Sequence, residues 1–371
     1  MNTGMQNLVG LDRQELERLA QSLGKAPYRG RQLYHAIYRR RATAIAGLTD
    51  LDRDFKGALS AQYDVDYPRV QDAFASTDGS ARYLLRLQDN TLIETVYMPE
   101  DSRTTLCLSS QAGCAVDCRF CFTALLGLQR NLSAGEMLGQ VMAVTNAREI
   151  LPRTRLNLVF MGMGEPLLNL AQVMKAVHIL ADPQAFGIPL RRITVSTSGI
   201  VPRINEMARD AGRPKLAVSL NASTEEQRTE LMPINRKYPL HDLLHACRTY
   251  PLRPRELLTF EYVLLDGFND ADADAQRVGK LLGGIRAKVN LIPYNSGSEL
   301  PYRASPMERV LAFQQVLAEC RIPAYIRISR GQDIGAACGQ LRLKGMGNGD
   351  TTRQPPSQRG GELAPLLDKE G

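Results

Sequence analysis

Cys114, Cys118 and Cys121 stand in the spacing C-x3-C-x2-C, directly after Gly113. Three thiolates on one short loop can hold three irons of a cubane cluster; with no fourth cysteine nearby, one iron keeps an open position for a ligand that is also a substrate. Zinc normally wants four protein ligands, and the histidines nearest in sequence, His35 and His178, lie at no zinc-like spacing. The bland alternative is three buried thiols packed as small apolar residues. It is disfavoured because Asp117 and Arg119 make the loop polar. Four further cysteines, Cys107, Cys247, Cys320 and Cys338, bring the total to seven. An odd set with three crowded together points to metal or catalytic chemistry in a reducing compartment rather than to a disulfide framework. Cys247 and Cys320 fall in helical stretches beside apolar residues and read as structural. His178, His241 and His245 have no partner pattern.

The elements that must position this loop change character along the chain. Residues 11–23, 32–40 and 51–63 predict three helices, the first ending at Gly24. Residues 82–87 and 91–97 are short, branched or aromatic runs separated by Gln88-Asp89-Asn90, a β-hairpin signal. From about residue 104 strands and helices alternate, with strands expected over 104–109, 156–161, 193–197, 216–220, 257–265, 289–292 and 325–328. Ser133 with Glu136 and Ser223 with Glu226 match the capping-box spacing, and Asn169 precedes the apolar stripe Leu170, Val173, Met174, Val177 and Leu180. This order implies parallel pairing with crossover helices, in a doubly wound sheet or in a full or partial α/β barrel. The expected domains are a helical accessory module (1–80), a hairpin linker (81–103), an α/β core (104–343) and a disordered tail (344–371) rich in Gly, Pro, Gln and charge.

Composition bounds the function classes. Hydrophobic residues are 44% and charged residues 23% of the 371, ordinary globular usage that excludes fibrous and wholly disordered readings. No run approaches the 18 or so apolar residues of a spanning helix, and residues 1–21 lack the order of a signal peptide, so a cytoplasmic protein away from membranes is expected. The net charge of +7 suits an anionic partner. Arg18, Lys25, Arg29, Arg31, Arg39, Arg40 and Arg41 fall between residues 18 and 49 without an acidic residue until Asp50, interleaved with Tyr28, Tyr34 and Tyr38. That composition suits phosphate neutralisation with base stacking, and equally a solvated basic face.

With Phe120 before its last cysteine, the loop resembles the cluster loop of radical S-adenosylmethionine (SAM) enzymes, whose open iron binds the amino and carboxylate groups of SAM. Five surrounding stretches narrow the resemblance: Leu106-Cys-Leu-Ser-Ser-Gln-Ala-Gly-Cys114, Arg130-Asn-Leu132, Phe160-Met-Gly-Met-Gly-Glu-Pro-Leu167, Leu231-Met-Pro-Ile-Asn235 and Asp333-Ile-Gly-Ala-Ala-Cys-Gly-Gln-Leu341. Across residues 10–342 these resemble the RlmN family of RNA adenine methyltransferases and its sister, the Cfr family. The resemblance implies a partial (β/α)6 barrel with an N-terminal accessory domain, a [4Fe-4S] cluster on Cys114, Cys118 and Cys121, and SAM as cofactor. It assigns SAM contacts to Gly164, Glu165, Ser196, Ser219, Leu220, Asn221 and Asn295, with Asn221 standing where family members usually carry His.

The same resemblance gives Cys338 and Cys107 the unusual chemistry. Cys338 accepts a methyl group from one SAM, a radical derived from a second SAM converts it to a carbon radical that adds to adenine, and Glu94 removes the ring proton. Attack of Cys107 on the resulting thioether then frees the product and leaves a Cys107–Cys338 disulfide. The implied substrates are carbon 2 of an adenine in 23S rRNA near the peptidyl transferase centre and adenine 37 of certain tRNAs, with carbon 8 as the Cfr-type alternative. An electron-donating reductase is the implied partner, and a monomer is expected. A non-catalytic iron–sulfur RNA-binding protein is the reading from another class.

Overall fold

The computed structural model describes residues 5–150, 154–296 and 300–343; the tail expected to be disordered lies outside them. β1 (Gln6–Asn7) precedes α1 (Arg13–Ser22), where Asp12 accepts from the Glu15 amide and Glu15 accepts from that of Asp12. α2 (Pro27–Tyr38) opens on a proline, which has no amide to leave unpaired at a helix start. Its Gly30 lets α1 and α2 touch: a Cβ there would lie 2.4 Å from the Cα of Glu17. α3 (Arg53–Ser60), capped by Asp52, leads to β2 (Tyr63–Asp64), which pairs in parallel with β1.

The three tyrosines interleaved with the basic stretch divide: Tyr28 is exposed beside Arg29, and the other two are not. Tyr34 and Tyr38 are buried core residues, edge to face at 4.9 Å, with hydroxyls donating to Asp182 and to the Leu11 carbonyl. They offer no stacking surface. Lys25 and Arg29 pair with Asp52, Arg31 with Glu17 and Arg40 with Asp50, while Arg41 donates to the Ile150 carbonyl. Apolar periodicity outranked interleaving here: Leu33, Tyr34, Ile37 and Tyr38 share one helical face.

One ten-stranded sheet carries the rest. β3 (Arg69–Ala75), β4 (Ala81–Arg86) and β5 (Leu92–Glu100) are antiparallel, and β5 pairs with β6 (Arg103–Cys107). A short hairpin, β7 (Gln111–Gly113) with β8 (Leu128–Asn131), stands apart and is followed by α4 (Ala134–Ala147). Parallel strands then alternate with helices: β9 (Leu156–Phe160), α5 (Leu170–Ala181), β10 (Ile193–Thr197), α6 (Val201–Ala208), β11 (Lys215–Ser219), α7 (Glu225–Leu231) and α8 (Leu240–Thr249). β12 (Leu258–Leu264), α9 (Asp272–Leu282), β13 (Ala287–Pro293), α10 (Met307–Glu319) and β14 (Ala324–Ile326) complete the chain. The strand order β14-β13-β12-β11-β10-β9-β6-β5-β4-β3 leaves the parallel part open, with β14 an edge, so the α/β partial barrel implied by the resemblance is the fold found. The hairpin expected over residues 82–97 is β4 with β5, hydrogen-bonded into this sheet.

Alternation along these strands decides where chemistry can sit. Leu158, Phe160, Val195, Val218, Phe260, Tyr262, Val289 and Leu291 point outward beneath the helices and are fully buried, each contributing about 1.5–3 kcal/mol. The intervening residues face inward and stay half-buried: Asn157, Val159, Thr194, Ser219, Thr259, Glu261, Lys288 and Asn290. The lumen is therefore lined by polar groups with accessible surface rather than packed solid.

Two of the expected caps are built differently. Ser133 and Glu136 form the full capping box of α4, but Thr224 rather than Ser223 caps α7, while Ser223 hydrogen-bonds Gln227 and Asp274. Asn169 makes no cap; its amide donates to the carbonyls of Ser110 and Leu132, tying the start of α5 to the chain around β7.

Candidate functional site

The cysteine loop hangs between the two strands of the β7–β8 hairpin. Cys114 donates its amide to the Gly127 carbonyl, and Gly113 (φ +79°) sits so close that a Cβ there would lie 1.8 Å from the Gly127 oxygen. Asp117 takes a left-handed turn, the Cys121 amide closes on the Cys118 carbonyl, and the Arg119 amide donates to the Leu231 carbonyl. All three thiols are partly exposed and none is in a disulfide. Burial raises each pKa: Cys114 is pushed up to about 12, and Cys118 is driven up further by the charges of Cys121 and Cys114.

A buried cation lies beneath them. Arg228 of α7 is fully buried, donates to the carbonyls of Ser198 and Ser219 and to Asn235, and feels the charge of Cys118. Among the described residues it has no carboxylate in ion-pair contact, and burial lowers its pKa to about 10. Three thiols on one loop, free of disulfides, with a buried guanidinium under them, fit an anionic thiolate-bound metal group. Among the described residues no three ligating side chains already converge on one point. The fit rests on the donor set and the charge beneath it.

Around the loop stand the strand ends expected to hold a second ligand. Gly164 (φ +100°) is pressed against Gln111, where a Cβ would lie 2.5 Å from the Gln111 Cβ. Glu165 follows, buried, with its carboxylate accepting the amides of Leu167 and Ser198. Burial raises its pKa against those amides. Ser196 donates to Glu261 at 3.1 Å. Ser219 is half-buried beside Glu261 in the sheet, and Leu220 is fully buried. Asn221 (φ +55°) turns inward: its Oδ1 accepts from the Val263 amide and its Nδ2 meets the Met232 sulfur. Its side chain is committed to the ends of β12 and α7, a structural use that the sequence did not reveal.

The last described segment brings the remaining cysteine in. Phe122 and Thr123, just after Cys121, donate to the carbonyls of Gly339 and Leu341, and Asn295 donates to that of Cys338 while accepting from Gln332. The other side of the segment is tied to the β3–β4 turn: Asp333 accepts from Ser76 and Thr77, Gly331 donates to Asp78, and Arg330 donates to the carbonyls of Asp78 and Pro99. Cys338 is thereby held between the cysteine loop and the antiparallel edge with its side chain exposed.

Cys107 ends β6 on the inward face, buried, and accepts from the Met161 amide. Each cysteine feels charge across this space. Burial pushes the Cys107 thiol up and the Cys338 charge adds to it; Cys338 is pushed up to about 11 by its crowded setting and by Glu261, with Arg327 opposing. Glu94 of β5 is fully buried, paired with Arg82 and capped by the backbone amides of Arg342 and Leu343. Burial raises its pKa and Arg82 pulls it down.

Comparison with known proteins bears on this arrangement. Residues 6–65 match the model of the ribosomal RNA large subunit methyltransferase N-terminal domain, and residues 108–277 that of the radical SAM superfamily. Two dual-specificity RNA methyltransferases RlmN, from Syntrophobacter fumaroxidans and from an Anaeromyxobacter species, are 47% and 46% identical, over 88% and 94% of this chain and 95% and 94% of their own. The chain belongs to the RlmN family. A solved radical SAM methyltransferase from Sphaerobacter thermophilus superposes with a TM-score of 0.86 at 44% identity, over 91% of this chain and 99% of that one.

An RlmN-family chain is a radical SAM RNA methyltransferase, and the family implies a [4Fe-4S] cluster, SAM and an RNA substrate. Cys107 and Cys338 are both free thiols, so no standing disulfide joins them. Arg82, Arg228 and the Arg330–Asp78 and Asp333–Ser76 contacts escape motif reading because each matters through partners that only the fold brings together. Among the described residues no helix is long and apolar enough to cross a membrane.

Proposed function

We propose that the protein methylates carbon 2 of adenine in 23S rRNA near the peptidyl transferase centre and adenine 37 of certain tRNAs, through a methyl group first carried on Cys338. The observation that carries this reading is the pair of free cysteines outside the metal loop, one buried at a strand end and one exposed on a loop stitched to the cluster loop, the first within reach of the second's charge. Adenine ring carbons are not nucleophiles, so a carbon delivered from the protein needs one thiol to carry it and another to release it.

Cys114, Cys118 and Cys121 would hold the [4Fe-4S] cluster, which when bound would supply the electron for reductive cleavage of SAM. Gly164 gives the SAM close access to backbone, and Glu165, Ser196, Ser219, Leu220 and Asn221 border its place. Asn295 holds the carbonyl of Cys338 and so sets the sulfur's position. Cys338 as thiolate would take the methyl group of one SAM, its sulfur–carbon bond forming as the sulfonium–methyl bond breaks and S-adenosylhomocysteine leaves. Glu94 serves as the base for the ring proton, which requires the amides of Arg342 and Leu343 to withdraw from its carboxylate. Cys107, kept protonated by burial until it acts, attacks the Cys338 sulfur as it loses its proton; the bond from that sulfur to the delivered carbon breaks, the carbon takes a proton to become the methyl group, and a Cys107–Cys338 disulfide is left for reduction. A cytoplasmic monomer served by a reductase completes the reading.

Cys107→Ala tests it. With unmodified rRNA, SAM and reductant, this variant is expected to accumulate protein covalently joined to RNA through Cys338. Release of free methylated RNA at the wild-type rate would remove Cys107 from the mechanism.

A further inference from the structure

At the open edge of the barrel, on the inward face, basic residues gather that no step above uses. Lys215 begins β11, Lys288 lies in β13 opposite Thr259, and Arg327 follows β14, whose Tyr325 pairs with Asn290. Arg103 starts β6 on the same face as Cys107. These groups are close together: Lys288 feels the charges of Lys215, Arg327 and Arg103, and burial followed by those like charges lowers its pKa. Its ammonium sits 5.6 Å from the ring centre of Tyr325. Two carboxylates answer the four cations, Glu261 deeper in the lumen and Glu100, which Arg103 binds. Among the described residues Lys215, Lys288 and Arg327 make no ion pair.

The edge also exposes aromatic and apolar surface. Tyr325 is 53% and Ile328 80% exposed, although the strand lies against the barrel. Cations in excess of their carboxylates beside an exposed ring on an edge strand combine what a single nucleic-acid strand needs, phosphate neutralisation and a face on which to stack a base. A protein partner with acidic groups would be served by the cations but would leave the ring's exposure unexplained. A duplex would present no free base to the ring.

We propose that the β13–β14 edge binds single-stranded RNA, with phosphates on Lys215, Lys288 and Arg327 and an unpaired base stacked on Tyr325, and so guides the substrate strand into the lumen. The proposal rests on the RNA methyltransferase reading and adds the route by which the strand enters. The patch borders the site described above, since Cys338 and Glu261 both feel the charge of Arg327.

The test uses the full chain and a fluorescein-labelled RNA stem-loop with unpaired adenosines, its anisotropy followed across a potassium chloride series. Lys288→Gln with Arg327→Gln is expected to weaken binding and to flatten the slope of log affinity against log salt by about 0.7 for each phosphate no longer neutralised. Lys288→Arg should keep the slope, which separates charge from folding. Tyr325→Ala should weaken binding about 5- to 100-fold at every salt concentration without changing the slope, and Tyr325→Phe should restore it. An unchanged slope in the double variant, or Tyr325→Ala binding as tightly as wild type, overturns the proposal. Equal binding of a blunt duplex RNA overturns the stacking half. If inorganic phosphate shields the wild type against heating while the RNA slope is untouched by the substitutions, the site serves free anions and the proposal falls. Wild type that binds no RNA overturns the RNA reading itself.

Discussion

Replacing Arg228 with Met removes a buried cation and the donor to three acceptors: the carbonyls of Ser198 and Ser219 and the Asn235 side chain. Met fills much of the volume, so the loss is polar rather than steric. Leaving buried acceptors without their donor costs about 1–3 kcal/mol each, a large share of the roughly 5–15 kcal/mol that holds a typical domain together. Arg228→Lys restores a charge near Cys118 but lacks the planar fork that reaches all three acceptors, so it should lose about 1–3 kcal/mol. Two readouts separate structure from electrostatics: the urea midpoint of the iron-free chain, and the iron retained per chain after anaerobic reconstitution. If the guanidinium offsets the charge of the three thiolates, Arg228→Lys retains more iron than Arg228→Met by a margin larger than their stability difference explains. Unfolding of Arg228→Met within about 1 kcal/mol of wild type, with full iron, would refute both roles of the guanidinium. Equal iron loss in the two variants would refute the electrostatic one.

Gly113→Ala should displace the cysteine loop, because its Cβ would fall 1.8 Å from the Gly127 oxygen at a left-handed φ; about 2–4 kcal/mol of destabilisation and lost iron are expected, and unchanged iron content would contradict this steric constraint. Methylation of Cys338 needs its thiolate, and with a pKa of about 11 the thiolate fraction rises tenfold per pH unit through neutrality. Single-turnover formation of S-methylcysteine, read by peptide mass spectrometry, should therefore climb steeply from pH 7 to pH 9. A flat profile would mean that a neighbouring base or the bound cofactor already ionises it.

How much of this was legible in the residues depended on whether a feature was local. The cysteine triplet, the Ser133 box and the alternating strands announce themselves within a few residues, and the inward face of the barrel follows from period-two alternation alone. β3 escaped because the bulge between Val70 and Asp72 breaks that period. The β7–β8 hairpin escaped because strands of three and four residues leave no pattern to read. Ser223 stands one residue too early, since α7 begins at Glu225 and Thr224 caps it, whereas Asn169 directly precedes α5 but its side chain is taken up by the carbonyls of Ser110 and Leu132. The positioning of Cys338 was invisible: it depends on Asn295, on the Phe122–Gly339 bond and on contacts to residues 76–78, separations of 43 to more than 200 residues.

Delivery of a carbon by Cys338 to adenine carbon 2 is tested most directly by the product. Anaerobically reconstituted protein would be incubated with unmodified 23S rRNA and tRNA, SAM and a reductant, and the digested nucleosides analysed by mass spectrometry. The expected product is 2-methyladenosine in both RNAs. 8-methyladenosine would contradict the assigned ring carbon, and SAM cleavage with no methylated nucleoside would contradict the assigned substrates.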